Sequence, residues 1–224
     1  MNAAAAYANL LRFGKPILRT GDVALRLGVG LPAASRMMGR LALTGLVRQL
    51  RRGVWEVGQR VEPLAIPEYL MGASPSYISF QSALFHHGMI SQIPQVRYVA
   101  SLARPQVVKT TAGTYSVHQL APEFFGGYQK GPSGAMIATP EKALVDVLYL
   151  SSSRDRKFSR LPELELPESF STAAVLEWVA QIRDPRRRGM VMRRLRALGI
   201  ASSPPMAHPA PVGNRASANG EVDG

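Results

Sequence analysis

The hydrophobic period of the chain changes near residue 45, and this change restricts how the first 60 residues can fold. Before it, apolar residues recur at helical spacing in three segments separated by glycine or proline. After it the period is two, so residues 46–50 and 54–57 are predicted to form a hairpin around residues 51–53. This order of three short helices and a hairpin predicts a small α+β unit.

The three helical segments have separate start and stop signals. The first covers residues 3–12, and Thr20 is expected to cap the second. Gly28 interrupts the second helix, and Pro32 suits the first turn of the third, where a missing N–H costs nothing. One face of the second helix carries the apolar side chains Val23, Ala24 and Leu27.

The third helix has an apolar face and a cationic face on a helical wheel. The apolar face comprises Ala34, Met37, Met38 and Leu41. The opposite face comprises Pro32, Ser35, Arg36, Gly39, Arg40 and Leu43. Two helices, a tight turn, a cationic helix and a basic hairpin form the pattern of a winged helix-turn-helix domain, which we predict for residues 1–62. The predicted DNA-binding residues are Ser35, Arg36 and Arg40 of the helix and Arg51 and Arg52 of the wing.

The charge of the chain supports a polyanionic partner. Lys and Arg number 27 against 15 Asp and Glu, which gives a formal net charge of +12. Residues 1–60 hold 10 basic and 2 acidic side chains, whereas residues 151–200 hold 11 and 6. Such an excess favours nucleic acid, and an anionic membrane surface less strongly. The sequence has no cysteine, which excludes disulfides, thiolate zinc sites and a cysteine nucleophile.

Composition divides the rest of the chain into two parts. Pro63, Pro67 and the turn-rich residues 72–76 mark a hinge after the first domain. Residues 63–200 are predicted to form a mixed α/β domain that ends in helices. Residues 201–224 are rich in Pro, Ala, Ser and Gly without apolar periodicity, so a disordered tail is predicted there. Below, residues 1–62 are called the head and residues 63–200 the body.

Local signals in the body predict its strands and helices. Residues 77–90 indicate a strand and then a helix that ends at Gly88. Further strands are predicted at residues 96–100, 106–109 and 113–117, and a short one before Thr139. Thr139 is expected to cap a helix in which Glu141 is a favourable first-turn charge. Two last helices begin near Ser171 or Thr172 and at Asp184, with apolar stripes at Val175, Leu176, Val179 and Ile182, and at Val191, Leu195 and Leu198.

Four segments resemble one family. They are YISFQSALFHHGMI at residues 77–90, GTYSVHQL at 113–120, ATPEKALVD at 138–146 and RLPELELPESF at 160–170. Together with the predicted winged head, they resemble the AbiEi antitoxins of type IV toxin–antitoxin systems over nearly the whole chain up to residue 200.

The resemblance implies a DNA-binding antitoxin that represses its own operon. Such a protein binds inverted repeats in double-stranded operator DNA and counteracts a nucleotidyltransferase toxin encoded next to it. The winged domain would bind DNA, and the body would hold the antitoxin activity. The family implies no catalytic residues, so neither an enzyme nor a cofactor is expected.

Three alternatives stay open. The chain could neutralise a toxin by direct contact, it could be a one-component regulator whose body senses a small ligand, or it could be an enzyme with a DNA-targeting head. The enzyme alternative has the least support, because the sequence holds no phosphate loop, no G-x-S-x-G motif and no dinucleotide fingerprint. His86 and His87 are adjacent on a helix and point about 100° apart, so no metal site is predicted.

The last predicted helix is a second candidate basic surface. It carries Arg186, Arg187, Arg188, Arg193, Arg194 and Arg196 beside its apolar stripe. These arginines either form a solvated face or bind a polyanion, namely DNA flanks, RNA or an acidic partner. The stripe lacks aromatic anchors, and no apolar run approaches the length of a membrane span, so no membrane partner is expected and a cytoplasmic location is predicted.

Overall fold

The computed structural model describes residues 3–151 and 163–201. Within these residues the chain forms eight α-helices and nine strands, arranged in a three-stranded and a six-stranded sheet. The predicted α+β class is therefore confirmed. Residues 202–224 of the predicted tail lie outside the described residues, and so do residues 160–162 of the segment RLPELELPESF.

The head contains three helices and the smaller sheet. Its elements are α1 (Ala3–Leu11), β1 (Ile17–Arg19), α2 (Thr20–Leu27), α3 (Leu31–Leu43), β2 (Val47–Arg51) and β3 (Val54–Val57). β3 lies between β1 and β2 and is antiparallel to both. The predicted order of helices and hairpin is present, and β1 is a strand that the sequence pattern did not indicate.

The body contains the six-stranded sheet and five helices. Its elements are α4 (Pro67–Leu70), β4 (Ser76–Ile78), α5 (Phe80–His86), β5 (Arg97–Ser101), β6 (Gln106–Thr110), β7 (Gly113–Gln119), β8 (Tyr128–Lys130), β9 (Met136–Ala138), α6 (Pro140–Leu150), α7 (Thr172–Ala180) and α8 (Pro185–Ala197). The strand order is β6-β7-β5-β4-β9-β8, with parallel pairs β5–β7 and β4–β9. α6 is buried along its length and packs against α5, α7 and α8.

Helix caps agree with the sequence at three sites and differ at one. Thr139, Ser171 and Asp184 each accept a hydrogen bond from a backbone N–H of the helix they begin. Thr20, in contrast, is the first residue of α2 and not its cap, so that prediction is wrong. Its hydroxyl accepts a hydrogen bond from Trp55 Nε1 at 2.9 Å, because β3 passes directly beside the start of the helix.

The apolar stripes of the last two helices are narrower than predicted. Val175, Val179 and Ile182 are buried, as are Val191 and Leu195. Leu176 and Leu198 are 40% and 38% exposed, so their assignment to the buried stripes is wrong. Leu198 lies past the end of α8 as its C-cap residue, where the helical wheel no longer applies.

The three-stranded sheet is covered on both faces. Leu18, Trp55 and Val57 pack against the helices of the head. Ile17, Leu50 and Val54 point the other way and belong to the hydrophobic core of the body. Adjacent strand residues face opposite sides of a sheet, so one short sheet joins two cores.

Polar contacts join the head to the body at the same place. Thr111, in the turn between β6 and β7, donates its backbone N–H to Leu50 O at 2.8 Å and its hydroxyl to Gln49 O at 3.0 Å. Arg19 Nη2 donates to Leu70 O at 3.0 Å. The segment that was predicted as a hinge buries Ala65, Ile66 and Leu70 in the body core. The head is thus packed on the body through apolar and hydrogen-bonded contacts.

We expect the head and the body to unfold in a single transition, because they share the core at the small sheet. The two tryptophans allow a direct test, since Trp55 lies in the head and Trp178 in the body. Each of the variants Trp55→Phe and Trp178→Phe keeps one tryptophan. In each variant, the urea midpoint from the fluorescence of that tryptophan should equal the midpoint from circular dichroism. Adding Leu50→Ala should lower both midpoints together, with a loss of about 2–5 kcal/mol.

Fluorescence and circular dichroism midpoints that differ within either variant would contradict this coupling. So would a Leu50→Ala effect confined to the Trp55 signal.

Candidate nucleic-acid interface

A three-residue turn, residues 28–30, sets the direction of α3. Gly28 has φ of 63°, a conformation that favours glycine, and ends α2. The N–H of Val29 donates to Ala24 O at 3.0 Å, and the N–H of Gly28 donates to Leu25 O at 3.3 Å, which is the Schellman pattern. α3 then begins at once, with Pro32 in its first turn. The two helices are therefore held at a short, well-defined corner.

The buried face of α3 is the one that the sequence predicts. Ala34, Met38 and Leu41 are fully buried, and Met37 is 9% exposed. These side chains pack on α1, α2 and the small sheet in the core of the head. Burial of this face leaves the opposite face of α3 in solvent.

The exposed face of α3 brings three predicted residues together. Ser35, Arg36 and Arg40 are exposed, and no carboxylate of the described residues pairs with either arginine. Arg36 and Arg40 are four residues apart, so they lie one turn apart on the same side. Gly39 and Leu43 share their surface, and Leu43 is 89% exposed. The result is a cationic ridge with no charge partner and little side-chain bulk at its centre.

The β2–β3 hairpin presents only one of its two predicted arginines. Its turn is Arg52 and Gly53, and Gly53 has the positive φ that a tight turn requires. Arg52 is exposed, whereas Arg51 is half-buried and its Nε is buried without a hydrogen-bond partner in the described residues. The pairing of β2 with β3 shifts in register between Gln49 and Arg51, next to the half-buried arginine. The structure thus separates Arg51 from the exposed set.

The remaining charge of the hairpin is neutralised inside the protein. Arg48 donates from Nε and Nη2 to the two carboxylate oxygens of Glu56, at 2.8 and 3.1 Å. Glu56 is buried on the same face of β3 as Val54 and also accepts the backbone N–H of Val61. This ion pair fixes the chain where it leaves the hairpin, so Arg48 is not available as a DNA contact.

The six arginines of α8 fall into two groups. Arg187 and Arg194 are half-buried, and the guanidinium of Arg187 lies 4.5 Å from the centre of the Tyr149 ring. Arg188 donates to Ile182 O at 3.4 Å at the start of the helix. The other three, Arg186, Arg193 and Arg196, are exposed. Arg187, Arg188 and Arg194 of the predicted basic surface are therefore partly buried or bonded within the protein. Arg186, Arg193 and Arg196 are exposed.

Sequence reasoning missed a charged centre inside the body. Lys142 and Asp146 are fully buried on α6 and form an ion pair, Nζ to Oδ1. Ser79 and Tyr77 donate their hydroxyls to Asp146 Oδ2 at 2.6 and 3.1 Å. The carboxylate thus accepts from three donors: one on α6, one on β4 and one in the residue between β4 and α5.

Aromatic rings enclose the cation of this pair. Lys142 Nζ lies 4.0 Å from the ring centre of Phe124, 4.9 Å from that of Trp178 and 5.7 Å from that of Tyr77. Gly127 makes the arrangement possible, because a Cβ there would come within 2.9 Å of Lys142 Cγ and 2.5 Å of Trp178. The lysine consequently ties α6 to α7 and to the chain before β8.

Burial acts on both charges of the pair in opposite directions. It lowers the pKa of Lys142 and raises the pKa of Asp146, while the attraction between them partly offsets each shift. Burial also raises the pKa of Tyr77 well above its ordinary value. All three side chains are fully buried, and their contacts hold α6 against β4 and α7. The signal for it in the sequence was a Lys and an Asp four residues apart on a helix whose one other charged residue is Glu141.

Two other features considered from the sequence have structural roles. Glu141 is buried and accepts the backbone N–H of Ser171 at 2.9 Å, so it links α6 to the start of α7 in addition to lying in a first turn. His87 Nε2 lies 2.7 Å from Ala138 O, and His86 is exposed. Across residues 3–151 and 163–201, no cluster of three or more His, Asp or Glu side chains could hold a metal ion.

No protein-family model matches the chain, and no curated protein matches it. Among the helices of the described residues, none is long and apolar enough to cross a membrane.

Removing both charges of the buried pair should cost less than the sum of the losses from removing each charge alone. Asp146→Asn retains an acceptor for Ser79 and Tyr77 but leaves the Lys142 cation uncompensated, so we expect a loss of about 3–5 kcal/mol. The double variant Lys142→Met, Asp146→Asn removes both charges and should be less destabilised than the sum of the single variants. Urea unfolding monitored by circular dichroism measures the four states of this cycle, and additive losses would show that the two charges do not interact.

Proposed function

We propose that the chain is a double-stranded DNA-binding regulator whose head is a winged helix-turn-helix domain. The order α1-β1-α2-α3-β2-β3, with β1 beside β3, supports this assignment, as does the three-residue turn between α2 and α3. In such domains the second helix of the pair enters the major groove. Here that helix is α3.

The observation that carries the proposal is the unpaired cationic face of α3. Its buried face holds it on the core of the head, and its outer face offers Ser35, Arg36 and Arg40 to solvent. Arginine can donate two hydrogen bonds to guanine O6 and N7, and serine can bond to bases or phosphates. Gly39, between the arginines on this face, would let the walls of the groove approach the helix. Arg52 at the hairpin turn is suited to a phosphate contact.

We further propose that the chain is an antitoxin that represses its own operon and counteracts a neighbouring nucleotidyltransferase toxin. This part of the proposal rests on the resemblance to the AbiEi antitoxins. The neutral charge of residues 61–150, which hold five basic and five acidic side chains, is consistent with a role of the body other than DNA binding. An adjacent nucleotidyltransferase gene is the first observation that the proposal requires.

A cleft in the body gives the ligand-sensing alternative little support. It has a volume of about 540 Å³ and is lined in part by Phe85, Ile93 and Arg97. Two of its polar side chains already have partners within the protein: Ser82 Oγ accepts the backbone N–H of Tyr98, and Arg97 Nη1 donates to Ala112 O. Bonded groups offer a small ligand few directional contacts, which leaves Glu62, His86 and Gln95 as the polar side chains of the lining that could contact one.

Substitution of the α3 arginines should weaken binding to operator DNA. Arg36→Ala and Arg40→Ala should each cost roughly 1–3 kcal/mol of binding free energy if the side chain reads a base. Arg104→Ala removes an exposed arginine from the body and is the matched control, expected to retain parent affinity. Gel-shift titrations with the upstream DNA of the operon give the affinities. A double variant that binds as tightly as the parent would show that α3 is not the DNA-reading helix.

The same variants should separate repression from antitoxicity. Because head and body share a core, truncation would expose Leu50 and Val54 or their partners, and point variants are therefore the suitable test. The variant Arg36→Ala, Arg40→Ala should fail to repress a promoter reporter yet rescue growth when the nucleotidyltransferase is co-expressed. Loss of rescue with retained expression level would mean that antitoxicity requires DNA binding.

A further inference from the structure

Leu43 lies on the outer face of α3 and belongs to neither hydrophobic core. It is the last residue of the helix and is 89% exposed. Single exposed leucines are common on protein surfaces, so this exposure alone assigns no function. The position of Leu43 relative to Gly39 and to the two arginines of α3 distinguishes it from other exposed leucines.

Gly39 is a second residue of this face that the fold does not require. It lies in the interior of a 13-residue helix, where glycine is less favourable than alanine. Its φ is not positive, and a Cβ at this position would meet no neighbouring side chain or element within 4 Å. Within the described residues, neither backbone conformation nor packing therefore explains why this position has no side chain.

Gly39 and Leu43 line one open hollow together with Arg36 and Arg40. The hollow has a volume of about 600 Å³, and Val29, Ala33 and Met37 complete its lining. Leu43 follows Gly39 by four residues, so it lies one turn further along the same side of the helix. Arg40 Nη2 lies 3.9 Å from Met37 Sδ, so the apolar part of the hollow is directly beside a guanidinium group.

The major groove of a duplex offers one apolar group on its base edges, the C5-methyl group of thymine. The other groups on these edges are hydrogen-bond donors and acceptors, which suit arginine and polar side chains. An exposed leucine beside two arginines is therefore matched to thymine, and a glycine next to it leaves room for the edge of the base. Leu43 lies about 4.5 Å beyond Arg40 along the helix axis, which is close to the rise of one base pair.

We propose that Leu43 contacts the C5-methyl group of an operator thymine, in a base pair next to the one that Arg40 contacts, and that Gly39 admits the edge of that base. The inference rests on the proposed function, because it takes α3 to be the helix in the major groove. Cytosine lacks the methyl group, so this contact would make the protein prefer thymine over cytosine at one position.

The test removes the methyl group from the DNA and the leucine side chain from the protein separately. Each thymine of the operator duplex is replaced in turn by uracil, which pairs with adenine as thymine does and lacks only the methyl group. Fluorescence anisotropy gives the affinity of the parent protein and of Leu43→Ala for every duplex. Leu25→Ala is the matched control, because Leu25 is 87% exposed and lies on α2 instead of α3.

We expect uracil to weaken binding by the parent protein about fourfold at one thymine of each half-site, the value for one buried methyl group. In Leu43→Ala the same replacement should have no measurable effect. Leu43→Met, which keeps an apolar side chain of similar length, and Leu25→Ala should both retain the fourfold effect. An effect of equal size in the parent and in Leu43→Ala would overturn the inference, and so would a parent that binds every uracil duplex as tightly as the operator.

The variant Gly39→Ala tests the space beside Leu43. Its unfolding midpoint should rise, because alanine favours the helix and its Cβ meets no neighbour. Its affinity for the operator should fall about fivefold or more, because the added methyl group occupies the space of the base edge. A variant that is less stable than the parent, or that binds the operator as tightly, would contradict the role given to Gly39.

Failure of the proposed function gives a different result. If Arg36→Ala, Arg40→Ala binds the operator as tightly as the parent, then α3 does not contact the bases and both proposals are wrong. If that variant loses affinity while the effect of uracil does not depend on Leu43, then α3 contacts the bases and only the role of Leu43 is wrong. A change from dimer to monomer in Leu43→Ala, measured by sedimentation with the effect of uracil retained, would assign Leu43 to a contact between two copies and overturn the inference.

Discussion

The arrangement of the molecule depends on a three-stranded sheet that is buried on both faces. Trp55 on β3 faces the helices of the head, and its neighbour Val54 faces the core of the body. A sheet of this size normally has one face in solvent, and its strands then alternate between apolar and polar residues. In β3 every residue is buried, and the single charge, Glu56, is paired with Arg48. The head therefore has a core of its own on one face of this sheet, and the other face of the sheet belongs to the core of the body.

This double burial determines which parts of the head can reach a ligand. The body covers one face of the sheet and approaches the edge strand β2, where Thr111 bonds to the carbonyls of Gln49 and Leu50. The face of α3 that lies farthest from the sheet and the turn of the hairpin remain exposed. The proposed DNA contact uses these two features, although Arg12, Lys15 and Arg26 of the head are exposed as well. Both features are held on packed cores, which would fix their geometry before any binding.

The sequence predicts those parts of the structure that local periodicity controls. The buried face of α3 was predicted residue by residue, because Ala34, Met37, Met38 and Leu41 recur at helical spacing. The strands of the hairpin were predicted to within one residue for the same reason. The cap at Thr20 was wrong, because a tertiary hydrogen bond from Trp55 uses that hydroxyl. A contact between residues 35 positions apart leaves no trace in a local pattern.

The exposure of individual arginines could not be predicted for a related reason. Arg51 and Arg52 are adjacent in the sequence and were equivalent as candidates, yet one is half-buried and the other exposed. The difference accompanies a shift in the pairing of β2 with β3 between Gln49 and Arg51, which the alternation of residue types does not reveal. The same holds for α8, where the ring of Tyr149 engages Arg187 while Arg186 faces solvent. A helical wheel predicts which residues share a face, whereas the packing of neighbouring elements determines which face is buried.

The distribution of charge in this chain follows from the cost of burying it. Lys142 and Asp146 are buried only because each has the other, and because Ser79, Tyr77 and the enclosing rings complete their surroundings. Burying an arginine without such partners is unfavourable, and the net charge of +12 leaves many without an acidic neighbour, most of them exposed. Such arginines lie on α3 and α8, and apolar side chains hold both helices in place. The charges of the exposed arginines are therefore not neutralised by contacts within the protein. On α3, Gly39 and the exposed Leu43 lie beside Arg36 and Arg40. On α8, Arg187 contacts the ring of Tyr149 while Arg186 is exposed, so charges of one residue type differ in whether the fold uses them.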